Sequence, residues 1–136
     1  MTTVDAPGAR TPWWFWLVAA ISLLWNGFGA FDYTMSHVAP DSYMTAAQKA
    51  LLATYPGWMH GVWAVGVWGS ALGAVLLLLR SKWAFHAFAV SILGALGSFA
   101  YSAARGLDPI FPAVICAICA GFIWFARTMT KRGVLR

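Results

Sequence analysis

Glutamate is absent from these 136 residues, and acidic groups of any kind are scarce: Asp5, Asp32, Asp41 and Asp108 are the only side-chain carboxylates. Asparagine and glutamine occur once each, as Asn26 and Gln48. Only 10% of the chain is charged, whereas 61% is hydrophobic. The runs 13–31, 58–79, 83–104 and 110–126 contain no Asp, Glu, Lys or Arg. Each is long enough, or nearly so, to cross a hydrocarbon core, which takes about 17–25 helical residues. The missing charge therefore excludes an ordinary soluble domain and predicts an all-α membrane protein. Its expected form is an antiparallel four-helix transmembrane bundle.

The positive charge that is present sits at the ends of these runs. Arg80 and Lys82 flank one gap, and Arg127, Lys131, Arg132 and Arg136 follow the last run. Clustered bases beside spans set topology. The net charge of +5 thus needs no nucleic-acid partner, since the bases lack the aromatic interleaving of a nucleic-acid surface. Counting spans places both termini in the cytoplasm, consistent with Arg10. The other side holds the mixed set Asp32, His37, Asp41, Lys49, Arg105 and Asp108. A cleaved signal peptide needs an apolar region of about 7–15 residues and a small-residue cleavage site. The run from Trp13 is longer, so a retained first span is expected.

The expected organisation is one domain. Residues 1–12 form a cytoplasmic tail, 13–127 the transmembrane domain, and 128–136 a basic cytoplasmic tail. The spans cover about 13–33, 57–79, 83–104 and 109–127. Pro12 suits the first helical turn because its missing N–H would have no partner there. Trp13, Trp14 and Trp16 suit the headgroup boundary. Between spans one and two, Thr45 and Gln48 have the spacing of a capping box. Met44, Ala47, Leu51 and Tyr55 fall near one face of the helix that follows. A short interfacial helix over about 46–54, lying on the membrane surface, is expected there.

Polar groups in lipid must pair within the protein, so small and polar residues at helical spacing mark inward faces. Span three has Ser91, Gly94, Ala95, Ser98, Tyr101, Ser102 and Arg105 at offsets of three and four. Close packing and a polar pathway wall both account for that stripe. Span one presents Ser22, Asn26, Gly29 and Asp32 on one face, and Asn26 is the one amide deep in any span. Span two is glycine-rich, with Gly57-x-x-x-Gly61 and Gly69-x-x-x-Gly73 matching the pattern that lets helix backbones approach. His60 lies at the depth of Asp32, where a carboxylate and an imidazole can exchange protons or hold a polar solute. Asn26, Asp32, His60, Ser98 and Tyr101 are the candidate substrate-binding residues. Cys116 and Cys119 read as small buried residues, because no His or carboxylate lies near them in sequence. No catalytic set, metal-ligand set or cofactor motif is legible, and the chain is not read as an enzyme.

Several short patterns support a resemblance. They are Pro12-Trp13-Trp14-Phe15-Trp16, Leu24-Trp25-Asn26-x-x-Gly29-x-x-Asp32-Tyr33, Met44-Thr45-x-x-Gln48, Tyr55-Pro56-x-Trp58 and Trp63-Ala64-x-x-Val67-Trp68-Gly69, with the leucine run ending at Arg80. Over most of residues 12 to 83 the chain resembles short four-span membrane proteins of Gram-negative bacteria that carry a sugar-transporter label. The resemblance implies a multi-pass protein of the bacterial inner membrane and a sugar-like solute. Small multidrug exporters also have four spans but depend on a membrane-embedded Glu in span one, which this chain lacks. Bacterial sugar half-transporters carry a Pro-Gln motif that is also missing. Two functions from different classes follow: a small-solute transporter, or a non-transporting envelope accessory, assembly or regulatory subunit. The expected surroundings are the lipid bilayer, with a homodimer or larger membrane complex left open.

Overall fold

A computed structural model describes residues 11–108 and 110–136. The expected N-terminal tail, including Arg10, lies almost wholly outside the described residues. Among them there are six helices and no strand: α1 (Trp13–Val38), α2 (Pro40–Tyr43), α3 (Ala46–Ala53), α4 (Gly57–Leu78), α5 (Trp83–Ala104) and α6 (Ile110–Lys131). The four long helices have the length and composition to cross a membrane. Their outer faces are apolar and bare, as at Leu24 (74% exposed) and Trp124 (68%). Such a surface is stable in lipid, not in water. The chain is an integral, multi-pass membrane protein with an all-α bundle.

Helix boundaries follow local chemistry. Pro12 and Pro56 occupy the extended positions just before α1 and α4. The capping box before α3 forms as expected: the Gln48 amide N–H donates to the Thr45 hydroxyl, and the Thr45 N–H donates to the Gln48 side chain. α4, α5 and α6 each end in paired 6→1 and 5→2 backbone bonds around a left-handed residue. Gly106 and Gly133 fill that position in two of them, but Arg80 (φ 56°) fills it in α4. A side chain there is strained by about 1–2 kcal/mol. The chain's end offsets this. Arg80 Nε donates to the Val134 carbonyl, the Arg80 carbonyl accepts from the Arg136 amide at 2.8 Å, and Lys82 N–H donates to the Arg136 carbonyl.

The last expected boundaries shift accordingly. α6 runs on to Lys131, and the residues after it fold back against the α4–α5 turn with Val134 and Leu135 buried. α1 also runs further than expected, to Val38. Its 26 residues span about 39 Å at 1.5 Å each, so its last turns rise above a hydrocarbon core of about 30 Å.

The helices pack in the order α1–α4–α5–α6. At the end near the α4–α5 turn, here the base, Phe15, Leu77, Phe88, Phe125, Met129, Val134 and Leu135 form a closed apolar core. Phe15 stacks on Phe125 there at 5.8 Å, joining the two outermost helices. The tightest seam is α4 on α5. A Cβ added at Gly94 would lie 2.6 Å from the Gly66 nitrogen, and one at Gly73 would strike the Phe88 ring. The sequence marked Gly57 and Gly61 equally, yet a Cβ at either meets nothing within 4 Å.

Candidate functional site

Toward the opposite end, here the crown, the bundle opens. A cavity of about 480 Å³ lies between α1 and α6, backed by α4 and α5. That volume falls within the ordinary range for small-molecule sites. Trp25 and Phe28 of α1 and Phe111 of α6 stand at its edge, and all three are exposed. The opening therefore faces sideways into the bilayer as well as up to the crown.

Most of its wall is apolar, and its polar side chains come from α1, α3, α4 and α5. Ser70 and Ser91 are satisfied: the Ser70 hydroxyl donates to the Val67 carbonyl, and the Ser91 hydroxyl to the Gly66 carbonyl across the α4–α5 seam at 2.7 Å. Asn26 is different. Its amide nitrogen donates to the Ser22 carbonyl at 2.8 Å and to the Ser22 hydroxyl at 3.1 Å. A backbone carbonyl can only accept, so the atom facing it must be the NH₂ end. The amide oxygen is then turned away, on a side chain that is 5% exposed and lines the cavity. Among the described residues it accepts no hydrogen bond. The Ser102 hydroxyl, on a residue 7% exposed, is likewise without a partner among them and also lines the cavity. Neither atom is sealed off, so both are polar groups that a ligand entering the cavity could reach.

Ionic character is confined to one place. Asp32 is the single carboxylate on the wall, and no Lys, Arg or His joins it among the described residues. The Tyr43 hydroxyl donates to Asp32 Oδ1 at 2.8 Å. That bond, with burial and the nearby negative charge, raises the Tyr43 pKa above its usual 10.0. α3 and its flanks form the roof, where Met44, Gln48, Leu51 and Tyr55 face the cavity. The expected apolar face of this helix thus covers a cavity instead of lying only on lipid. Burial pushes the Tyr55 phenol up, with a smaller push from Tyr101.

Of the candidate residues, Asn26, Asp32 and Ser98 line the cavity. His60 and Tyr101 stand outside it. Tyr101 packs edge-on against Tyr55 and Trp58, with the Arg105 guanidinium over its ring. His60 Nδ1 lies 2.9 Å from His37 Nε2, so the imidazole at the depth of Asp32 is engaged by another imidazole. The roof residues escaped sequence reasoning. Their apolar spacing was legible, but spacing cannot separate a lipid surface from a cavity. Cys119 is buried within reach of the Ser91 hydroxyl, consistent with a packing role. Among the described residues, no three His, Cys, Asp or Glu side chains gather around a metal position. Compared with protein-family models, curated proteins and solved structures, the chain matches none.

Proposed function

We propose that the protein is a small-solute carrier of the bacterial inner membrane, whose crown cavity binds an amphipathic molecule with an apolar body and a hydroxylated or amine-bearing end. The observation that carries this reading is the unpaired Asn26 oxygen, on a largely buried side chain that lines a cavity of about 480 Å³. An acceptor so placed favours a ligand that donates, and Asp32 at the crown end favours the same polarity or a positive charge. Trp25, Phe28 and Phe111 give the apolar part a surface, and the sideways opening gives it a route from lipid. The sugar-like solute suggested by resemblance is thereby narrowed to one that carries an apolar portion. The basic end supports placing both termini in the cytoplasm and the cavity toward the outer leaflet.

Binding of radiolabelled hexyl glucoside to protein in lipid nanodiscs tests the reading. This probe joins an apolar chain to a hydroxylated head. Saturable binding is expected to exceed partition into empty discs and to fall at least tenfold in Asn26→Leu. Glucose and hexanol should compete poorly, because each supplies half of the contact. Equal binding by wild type and Asn26→Leu would refute the site. Saturable binding without flux in proteoliposomes would assign the protein to the class of non-transporting accessory subunits.

A further inference from the structure

A second constellation lies at the crown, outside the cavity. His37 comes from the last turn of α1 and His60 from the first turns of α4. Nδ1 of His37 lies 2.8 Å from the Tyr33 carbonyl oxygen. That oxygen can only accept, so Nδ1 carries a hydrogen, and in the neutral ring Nε2 is left with a lone pair. The lone pair points at His60 Nδ1, 2.9 Å away. Moving the His60 hydrogen to its own Nε2 leaves two imidazole lone pairs, from two helices, converging on one position. Nitrogens sharing a tetrahedral ion at about 2.0–2.1 Å lie roughly 3.3 Å apart. The rings need to separate by only a few tenths of an ångström.

Three further features suit an ion here. A bond from the second ring nitrogen to a backbone carbonyl is how metal-binding imidazoles are oriented, and His37 has it. The rings are held by aromatic neighbours: Tyr33 packs 4.3 Å from His37, Trp63 5.5 Å from it, and Tyr55 6.0 Å from His60. The contact is exposed, so ions and water can reach it.

We propose that His37 and His60 form an open site for a divalent first-row metal ion of the copper or zinc class. Two protein nitrogens leave the remaining coordination positions to water. Such a site holds its ion reversibly and favours copper over zinc. The ion would tie α1 to α4 through Trp63 and Tyr55, which also line the cavity.

The test uses tag-free, chelator-stripped protein titrated with Cu²⁺ and Zn²⁺ by calorimetry. One ion per chain is expected, with copper bound more tightly. His37→Ala and His60→Gln should each weaken binding at least tenfold, whereas His86→Ala at the base should leave it unchanged. Electron spin resonance of the copper form should show coupling to two imidazole nitrogens, lost in either variant. Any variant that loses its helical circular dichroism is replaced by the other, since each ligand is tested alone. Absence of stoichiometric binding by the folded wild-type protein would overturn the proposal. So would binding that persists in both variants.

Discussion

An amide and a carboxylate serve different purposes at a lipid-embedded site. Asn26 can hold an open acceptor in the low-dielectric wall because its nitrogen is already satisfied by Ser22, and no net charge needs solvation. Asp32 carries its charge only near the crown, where water and the Tyr43 hydroxyl reach it. The Tyr43–Asp32 bond has a testable pH dependence. Tyr43 has a raised pKa in the folded protein, so the bond's contribution is whole below the free phenol value of 10.0 and is lost as pH climbs through the raised value. Ultraviolet titration of tyrosinate should show two groups, Tyr43 and Tyr55, ionising late in wild-type protein. In Asp32→Asn the Tyr43 step alone should move earlier, and in Tyr43→Phe it should vanish. An unshifted titration in Asp32→Asn would contradict the assigned cause. The sequence made Asn26 legible because it is the one deep amide. It could not separate Asp32 from His60, since equal depth says nothing about rotation around the helix. In the fold Asp32 turns to Tyr43, while His60 turns to His37.

Among the helices, α4 and α5 form the closely packed half of the cavity and α3 its lightly held roof. The seam depends on missing side chains. A Cβ at Gly94 would meet backbone atoms at 2.6 and 2.7 Å, and backbone cannot rotate aside. Gly94→Ala should therefore part the helices near Ser91 and weaken its bond to the Gly66 carbonyl. The expected destabilisation is about 1–3 kcal/mol, as for other overpacked sites. Gly61→Ala, which meets nothing, should be neutral or slightly stabilising, because alanine is the better helix former. Denaturant unfolding in mixed micelles, followed by circular dichroism, compares the two. If both variants unfold alike, the seam is not where the helices meet most closely. Glycine richness announced close approach somewhere on α4, but not which glycines serve it. The motif spacing fits 57 and 61 as well as 69 and 73, and only the partner helix distinguishes them. α3 has no buried residue, which is what a movable cover over the cavity requires.

Across the whole molecule, the closed base and open crown coincide with a split in charge. Among the described residues the base holds Arg80, Lys82, Arg127, Lys131, Arg132 and Arg136 and no acid, whereas the crown mixes Asp32, Asp41, Lys49, Arg105 and Asp108. Folding sharpens the asymmetry. Docking of residues 133–136 keeps Arg136 beside Arg80 and Lys82, and the Arg132 guanidinium lies over the Trp14 ring. At the crown, Lys49 pairs with Asp41 at 3.0 Å, which removes one of its two cations from the balance. Positive charge close to span ends is retained on the cytoplasmic side, so the base should face inward and the cavity mouth outward. Single cysteines in a Cys116→Ser, Cys119→Ala background can test this in bacterial cells. Ser42 and Lys82 are exposed positions at opposite ends. A membrane-impermeant thiol reagent should modify Ser42→Cys in intact spheroplasts and Lys82→Cys only after lysis. The opposite result would place the cavity mouth at the inner leaflet and reverse the direction of any carrier cycle. Labelling of both sites before lysis would mean that the chain inserts in two orientations, and the charge split alone would then be too weak to fix one.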